Sequence, residues 1–263
     1  MIETCIAMVT VKKIIEWYDS YTGSFNSNNE ETEGALRLKE RHCKRVMDEI
    51  TQIGRSLNLT DDEISLAAIT GLLHDIGRFE QFLKYRTFLD VKSVNHAQLS
   101  VSILKKENVL SELTKDNAAS ILQAIELHNR AQIASGSPIL CKMVRDADKL
   151  DIWNIVLRHF ECGGGGATNS VELELDTADA ISANVLEAIL KSAPWEVKAM
   201  TYVNDFKLLV MSWVFDINFI HSFRQIIERR YLPRLFAVLP QTPECKQAFE
   251  HCMKYLELKS KDF

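Results

Sequence analysis

The chain has 263 residues and a formal net charge of −5 at pH 7. This length allows one large domain or two small ones and is enough to bury a sizeable core. A hydrophobic fraction of 46% and a charged fraction of 25% are typical of an ordinary soluble globular protein. The acidic balance argues against a nucleic-acid polymer as partner, because neutralising its phosphates needs a basic patch. A small phosphorylated substrate needs only a few local cations and stays allowed.

The cysteines, the N-terminus and the longest apolar stretch indicate the compartment. The six cysteines show no CxxC pairing or framework spacing, which predicts reduced thiols. The N-terminus, MIETCIAMVTVKK, has Glu3 beside only a short apolar run and lacks the pattern of a signal peptide. The stretch LLVMSWVF at 208–215 is too short to span a bilayer. We therefore expect a soluble, cytoplasmic protein with no membrane partner.

Helical periodicity dominates the first part of the chain. Steps of three and four line one face of a long helix with Leu38, His42, Val46, Ile50, Ile53 and Leu57. Thr60, with Glu63 three residues later, forms a capping box that opens a second helix. We expect Gly77 to close that helix just after His74-Asp75.

Three more helices are predicted before residue 160. Asn95 precedes a helix that carries His96 on its apolar stripe. Asp116 is expected to cap the next helix, whose stripe ends at His128. Pro138 occupies a first-turn position before a helix that runs to about Phe160.

The C-terminal third is predicted to be helical as well. Four glycines at 163–166 predict a linker between two helical parts, with a mobile flap near the site as the alternative. Later helices are expected at 177–192, 196–229 with a break near Asp216, 231–238 and 243–258. Strand alternation is weak and confined to VELEL at 171–175. The predicted fold class is all-α.

Four histidines, His42, His74, His96 and His128, lie on or at the end of different helices, and Asp75 follows His74 directly. A single histidine on an apolar face is usually a core residue bonded to a carbonyl or a water. Burying four such rings without a shared partner would cost a few kcal/mol each. Because a bound cation removes that cost, the set predicts a metal site.

Geometry limits how the carboxylates can contribute. Adjacent His74 and Asp75 project about 100° apart on a helix, so they can hold one cation or touch two neighbouring cations. In RDADKLD (145–151), Asp146 and Asp148 point about 200° apart, so only one of them is expected to be a ligand. The residues alone leave that choice open.

The order of His42, then His74-Asp75, then a distant Asp resembles the HD-domain superfamily of metal-dependent phosphohydrolases over roughly residues 35–155. The stretch HDIGRFEQFLKYRTFLDVKSVNHAQLSVSIL (74–104) is similar to a bacterial subgroup of that superfamily. The resemblance implies an HD-domain helical bundle with additional C-terminal helices. We expect an HD core at 1–160 and helices at 167–263 packed on it as one continuous globular unit.

The resemblance also implies the ligand set. The family signature ends in an Asp after a small residue, which matches Ala147-Asp148 and implies that His42, His74, Asp75 and Asp148 share one metal. Asp146 and Asp151 are then expected either on the helix surface or as carboxylates that support the ligands, Asp151 being able to orient an imidazole.

His96 and His128 decide between one metal and two. In single-metal members extra histidines hold phosphate, whereas two-metal members such as the HD-GYP phosphodiesterases use them as ligands. Both alternatives, phosphate donor and metal ligand, stay open for His96 and His128. The chain has no GYP tripeptide, and this absence argues against hydrolysis of cyclic-di-GMP. The expected cofactor is one or two divalent metal ions, among Mn, Fe, Ni, Co, Mg and Zn.

The implied activity is hydrolysis of a small phosphorylated metabolite or nucleotide by metal-activated water. Asp75, Arg78 and Lys149 are the expected catalytic residues, the two cations stabilising charge on the phosphoryl oxygens. The alternative for Arg78 is a charge at a helix C-terminus. Lys84 and Arg86 are weaker candidates, for which a solvated loop is the alternative.

Two other functions fit the same residues. Some HD-fold proteins hold two irons with a six-residue His/Asp set and oxidise a carbon substrate, and a sensor could bind a nucleotide without catalysis. The chain has no GxxxxGK[ST], GxGxxG or GxSxG motif. The aromatic-rich segment 196–230 suits either a core or the surface of a homodimer.

Overall fold

The computed structural model describes residues 2–25, 27–163, 171–173, 175–192 and 200–261, with side chains from Thr10 onward. Within these ranges the chain is helical and contains no β-strand, which confirms the all-α prediction. The helices are α1 Ile2–Gly23, α2 Glu30–Ser56, α3 Asp61–Leu73, α4 Gly77–Tyr85, α5 His96–Lys106, α6 Lys115–Leu127, α7 Ile139–Glu161, α8 Ala183–Leu190, α9 Val203–Ser212, α10 Ile220–Glu228, α11 Tyr231–Ala237 and α12 Pro243–Lys261. Short 3₁₀ helices lie at Asp90–Lys92 and Trp213–Asp216.

The chain divides into two compact units, Met1–Asp148 and Lys149–Phe263, so that α7 contributes residues to both. Three of the four glycines at 163–166 lie outside the described residues. The domain limits expected above, 1–160 and 167–263, stay a prediction.

In the first unit, α2 and α3 pack closely along buried faces. A Cβ added at Gly71 of α3 would lie 2.8 Å from Ile50 Cγ2 and 3.0 Å from Met47 Cα of α2. Because such distances are too short for a side chain, the glycine permits this crossing. The crossing brings the buried His42 of α2 beside the end of α3, where His74 lies.

Gly77 was expected to close a helix, and this prediction is wrong. The helix ends at Leu73, and Gly77 is the first residue of α4. A Cβ at Gly77 would lie 2.6 Å from the His96 carbonyl oxygen and 2.7 Å from Ser100 N of α5. The glycine therefore serves a close helix contact that places His96 beside the turn between α3 and α4.

Local hydrogen bonds start the helices largely where the sequence indicates. The capping box of Thr60 and Glu63 is confirmed, and Asn95 caps α5 by accepting a hydrogen bond from Gln98 N. For α6 the cap is Thr114, whose side chain accepts from Asn117 N, and the expectation for Asp116 is wrong. Asp116 lies in the first turn, where its charge suits the helix dipole.

In the second unit, the C-terminal part of α7 packs against later helices through Trp153, whose ring stacks on Tyr231 at a centroid distance of 5.7 Å.

The predicted break near Asp216 is confirmed, because 3₁₀ helix Trp213–Asp216 separates α9 from α10. Residues 193–199 lie outside the described residues, and the expected helix at 177–192 shortens to Ala183–Leu190. In VELEL, the described residues form no strand.

None of the described helices combines the length and the apolar character that crossing a membrane requires. The cysteines at 43, 141, 162, 245 and 252 are free thiols, all buried except Cys162.

Candidate metal centre

Six side chains from five segments converge inside the first unit. His42 comes from the middle of α2, His74 and Asp75 from the turn after α3, His96 from the start of α5, His128 from the end of α6, and Asp148 from α7. The four histidines and Asp75 are buried. Potential ligand atoms of these residues form three overlapping groups in which they lie within 4.8 Å of one another. The structure thus brings together every residue of the expected ligand set.

The atoms around Nε2 of His42 come from two of these groups and are taken together as the first ligand group. This atom lies 3.3 Å from His74 Nε2, 3.2 Å from Asp148 Oδ1 and 3.6 Å from Asp75 Oδ2. His74 Nε2 lies 3.6 Å from Asp148 Oδ1 and 3.8 Å from Asp75 Oδ2. Two imidazole nitrogens and two carboxylate oxygens therefore face one small volume.

The second group uses the other oxygen of Asp75. Oδ1 lies 3.3 Å from His96 Nε2 and 3.7 Å from His128 Nε2, and the two nitrogens are 3.1 Å apart. Asp75 therefore directs one oxygen to the His42–His74 pair and the other to the His96–His128 pair. This arrangement suits a carboxylate that bridges two cations.

Hydrogen bonds at the outer ring atoms indicate where the imidazole protons lie. His74 Nδ1 is 2.8 Å from the carbonyl oxygen of Gly71, and His128 Nδ1 is 2.6 Å from that of Ile125. Each Nδ1 therefore carries the proton and donates a hydrogen bond to the carbonyl oxygen. Nε2 of both rings is left with a lone pair directed into the cluster.

His96 has the same arrangement through a carboxylate. Its Nδ1 lies 2.7 Å from Asp90 Oδ2, so this ring also presents a lone pair at Nε2. The Nε2 lone pairs of His96 and His128 then face each other at 3.1 Å. Two facing lone pairs repel each other unless a cation lies between them, so the donor set fits a metal.

The electrostatics favour the protonation states that bind metal. Burial lowers the pKa of His74, and burial together with Arg78 lowers the pKa of His96 to about 3. Burial alone would raise the pKa of Asp75, but the cations of Lys39 and Arg78 lower it well below its usual value. At neutral pH the two imidazoles are neutral and Asp75 is ionised, as metal ligands must be.

Two carboxylate oxygens in the cluster lack a hydrogen-bond donor. Asp75 Oδ1 and Asp148 Oδ1 are buried and accept no hydrogen bond from the residues that the structure describes. A buried charged oxygen without a donor is costly, and a bound cation would compensate both. The residues present therefore fit one or two divalent cations.

Of the three acids in RDADKLD, Asp146, Asp148 and Asp151, the structure places Asp148 alone in the described ligand groups. Asp146 and Asp151 are both buried, which excludes the helix-surface alternative for them and leaves a supporting position beside the ligands. The neighbouring Arg145 is buried too and donates to the carbonyl oxygens of His128 and Arg130. This side chain ties α7 to the end of α6 and so helps to fix His128 relative to Asp148.

Asp90 is a further residue of the site that was not predicted from the sequence. Besides His96, this carboxylate accepts from Arg78 Nη1 at 3.2 Å, Gln81 Nε2 at 2.9 Å and Asn129 Nδ2 at 3.1 Å. The surrounding cations and hydrogen bonds lower its pKa to about 2 although burial opposes the shift. Its position six residues before His96 is a weak sequence signal, since a 3₁₀ helix and a turn separate them.

The expected catalytic cations lie in different surroundings. Arg78 Nε lies 3.4 Å from Asp75 Oδ1, while Nη1 also donates to the carbonyl oxygen of Phe88. Lys149 Nζ instead forms an ion pair with Asp216 at 2.8 Å within the second unit. Arg78 is thus beside the cluster and held there, whereas Lys149 pairs with a carboxylate outside the cluster.

Lys39 is a further cation beside the cluster that was not predicted from the sequence. It lies on α2 one turn before His42, and its Nζ is 2.8 Å from Asp75 Oδ2. The weaker candidates lie elsewhere, with Lys84 over the ring of Tyr85 and Arg86 bonded to Thr32 Oγ1. The spacing of Lys39 from His42 on one helix is a signal in the sequence, but no local pattern shows that its partner is Asp75.

Comparison with known proteins identifies the region that holds this cluster. Residues 40–153 match the family model described as the HD domain. No curated protein and no solved structure gives a match. The matched residues include all six members of the cluster, from His42 to Asp148. The match is consistent with a protein of the HD-domain superfamily, most of whose members are metal-dependent hydrolases, and the described residues share the all-α fold of that domain.

Proposed function

We propose that this protein is a metal-dependent phosphohydrolase that acts on a small phosphorylated metabolite or nucleotide. One observation carries the proposal: Asp75 directs its two oxygens to two separate histidine pairs. A carboxylate in this position suits two neighbouring divalent cations, an arrangement that enzymes of phosphate-ester hydrolysis use. The cation-rich surroundings of Asp75 support an anionic substrate.

His42, His74, Asp75 and Asp148 would hold one cation, and His96, His128 and Asp75 would hold a second. A divalent cation bound there lowers the pKa of water and supplies hydroxide near neutral pH. The protein residues keep the ligand nitrogens unprotonated and exclude bulk water, because the histidines and Asp75 are buried. In a dry site of this kind, fixed charges act more strongly than they would in water.

Arg78 would contribute a fixed positive charge beside Asp75. Its guanidinium is held by Phe88, Gln81 and Asp90 and therefore needs no reorganisation when a substrate binds. Such preorganised charge stabilises the negative charge that develops on phosphoryl oxygens. We do not assign this role to Lys149, because its ammonium is paired with Asp216.

The test is anaerobic purification with metal quantification, followed by a phosphate-release screen against a panel of phosphorylated metabolites. We expect bound metal and phosphate release that requires added Mn²⁺, Co²⁺, Ni²⁺ or Mg²⁺ and disappears with a chelator. Turnover that survives prolonged chelation and stripping would contradict the proposal. A nucleic-acid polymer is not the expected substrate. Size-exclusion measurements would show separately whether the protein forms a homodimer.

The bridging position of Asp75 also suits a pair of iron ions, so an HD-fold di-iron oxygenase is the second candidate. Iron at two per chain with substrate-dependent oxygen consumption would support this candidate, whereas phosphate release without oxygen uptake would support hydrolysis. A non-catalytic nucleotide sensor would bind a nucleotide and produce neither change.

A further inference from the structure

Lys39 has a position that the proposed ligand set does not use. Its Nζ lies 2.8 Å from Asp75 Oδ2, and 15% of its side chain is exposed. The ring of Phe88 has its centroid 5.3 Å from the same Nζ. Lys39 therefore lies between the buried carboxylate and the outside of the cluster. It also lies just outside the residues that match the HD domain, which begin at residue 40.

Asp75 Oδ2 is shared between this ammonium and the first histidine pair. The oxygen lies 3.6 Å from His42 Nε2 and 3.8 Å from His74 Nε2. A divalent cation held by those nitrogens would use the same oxygen as Lys39. Two positive charges on one oxygen repel each other, and the divalent charge attracts the carboxylate more strongly. Metal binding therefore favours a shift of the ammonium away from Asp75.

Lys39 can make this shift, whereas Arg78 cannot. Arg78 donates to Gln81, to Asp90 and to the carbonyl oxygen of Phe88, which fix its guanidinium. Among the described residues, the ammonium of Lys39 forms a hydrogen bond with Asp75, and it is carried on a flexible four-carbon stem. The Phe88 ring offers the displaced ammonium a neighbouring surface through a cation–π contact.

We propose that Lys39 exchanges partners during the reaction cycle, moving from Asp75 to a phosphoryl oxygen of the substrate once metal occupies the first ligand group. This inference rests on the proposed function. It makes Lys39 the substrate-binding cation of the site, with Arg78 as the fixed one. It also explains why a lysine and not an arginine occupies the position, since the ammonium must leave a carboxylate without breaking a bidentate pair.

The experiment compares the parent protein with Lys39→Met and Lys39→Arg. The matched control is Lys44→Met, on the same helix, because 42% of the Lys44 side chain is exposed and its ammonium pairs with Asp19 and Glu40. Binding of Mn²⁺ to metal-stripped protein and binding of inorganic phosphate to Mn²⁺-loaded protein are each measured by calorimetry. Thermal unfolding with and without Mn²⁺ reports whether each variant is folded.

We expect Lys39→Met to bind Mn²⁺ at least as tightly as the parent, because a competing cation has been removed. Its Kd for phosphate should rise roughly tenfold or more, the loss expected for one charge-assisted hydrogen bond. Lys39→Arg should recover part of the phosphate affinity, and Lys44→Met should match the parent in both titrations.

Two results would overturn the inference and leave the proposed function standing. One is a Lys39→Met protein that binds phosphate as tightly as the parent. The other is weaker Mn²⁺ binding in Lys39→Met and Lys39→Arg alike, which would make Lys39 a support for Asp75 only. A parent protein that binds Mn²⁺ but neither binds phosphate nor hydrolyses any phosphoester would overturn both the inference and the proposed function.

Discussion

Gly77 and His96 approach so closely that a Cβ at Gly77 would lie 2.6 Å from the His96 carbonyl oxygen. The backbone amide of Gly77 also donates to Ser100 Oγ at 2.9 Å. The contact joins the start of α4 to the start of α5, two residues after Asp75. The separation of His96 from Asp75 thus depends on a residue that carries no functional group.

Gly77→Ala should therefore disturb both stability and metal binding. The methyl group must push α5 away, which we expect to cost about 1–3 kcal/mol of the free energy of unfolding. Because His96 moves with α5, the protein should also bind less metal. Chemical denaturation and metal quantification measure the two effects. Gly23→Ala is the control, since its Cβ would meet nothing within 4 Å, and parental behaviour in Gly77→Ala would contradict the assigned contact.

Asp148→Asn should weaken metal binding far more than Asp146→Asn. Asp148 Oδ1 lies 3.2 Å from His42 Nε2 and accepts no hydrogen bond within the described part of the chain, whereas Asp146 is outside the described ligand groups. Asp146→Asn should still lower the stability of the fold, because Asp146 is fully buried. Calorimetric titration with Mn²⁺ measures the metal affinity of each variant separately from the stability of its fold. Stronger loss of metal affinity in Asp146→Asn would move the ligand to Asp146.

His74→Ala should lower the affinity for metal sharply, since His74 belongs to two of the three ligand groups. Removing its imidazole leaves the oxygen of Asp148 and the nitrogen of His42 without their shared partner. Metal analysis after dialysis is the measurement. A His74→Ala protein with full metal content and full activity would eliminate the assigned centre.

His96→Ala and His128→Ala distinguish one metal from two. If two cations bind, each substitution should remove one metal per chain while the first group keeps its own, because Asp75 Oδ1 is left with a single histidine. If one cation binds, the metal content should equal that of the parent, while turnover falls because a phosphate donor is lost. Metal per chain measured beside turnover decides between the two. Unchanged metal and unchanged turnover would exclude both roles.

Asp90→Asn should lower metal affinity by about 10–100-fold, the range found when the partner of a ligand histidine is removed. An amide can present its NH₂ group to His96 Nδ1, which would turn the ring to the wrong tautomer. Asp48→Asn, at an exposed position of α2, is the charge-matched control. Equal Mn²⁺ affinity in Asp90→Asn and the parent would show that Asp90 does not orient His96.

The sequence by itself determined the helical class, most helix starts and the residues that converge in the cluster. Helical periodicity reflects which face of each helix is buried, and caps such as Thr60 form hydrogen bonds within one turn, so both are recorded locally. His42, His74, Asp75 and Asp148 could be named because their types and order carry the pattern of the family.

Tertiary structure alone decided the partners of the charged side chains. Lys39 meets Asp75, Asp90 meets His96, and Lys149 meets Asp216, across 36, 6 and 67 positions of the chain. Ion pairing depends on distance in space, which helix crossings set, and the crossing at Gly77 rests on a contact that no local pattern records. For this reason the sequence identified the ligands of the centre, while only the folded chain assigned the groups that surround and orient them.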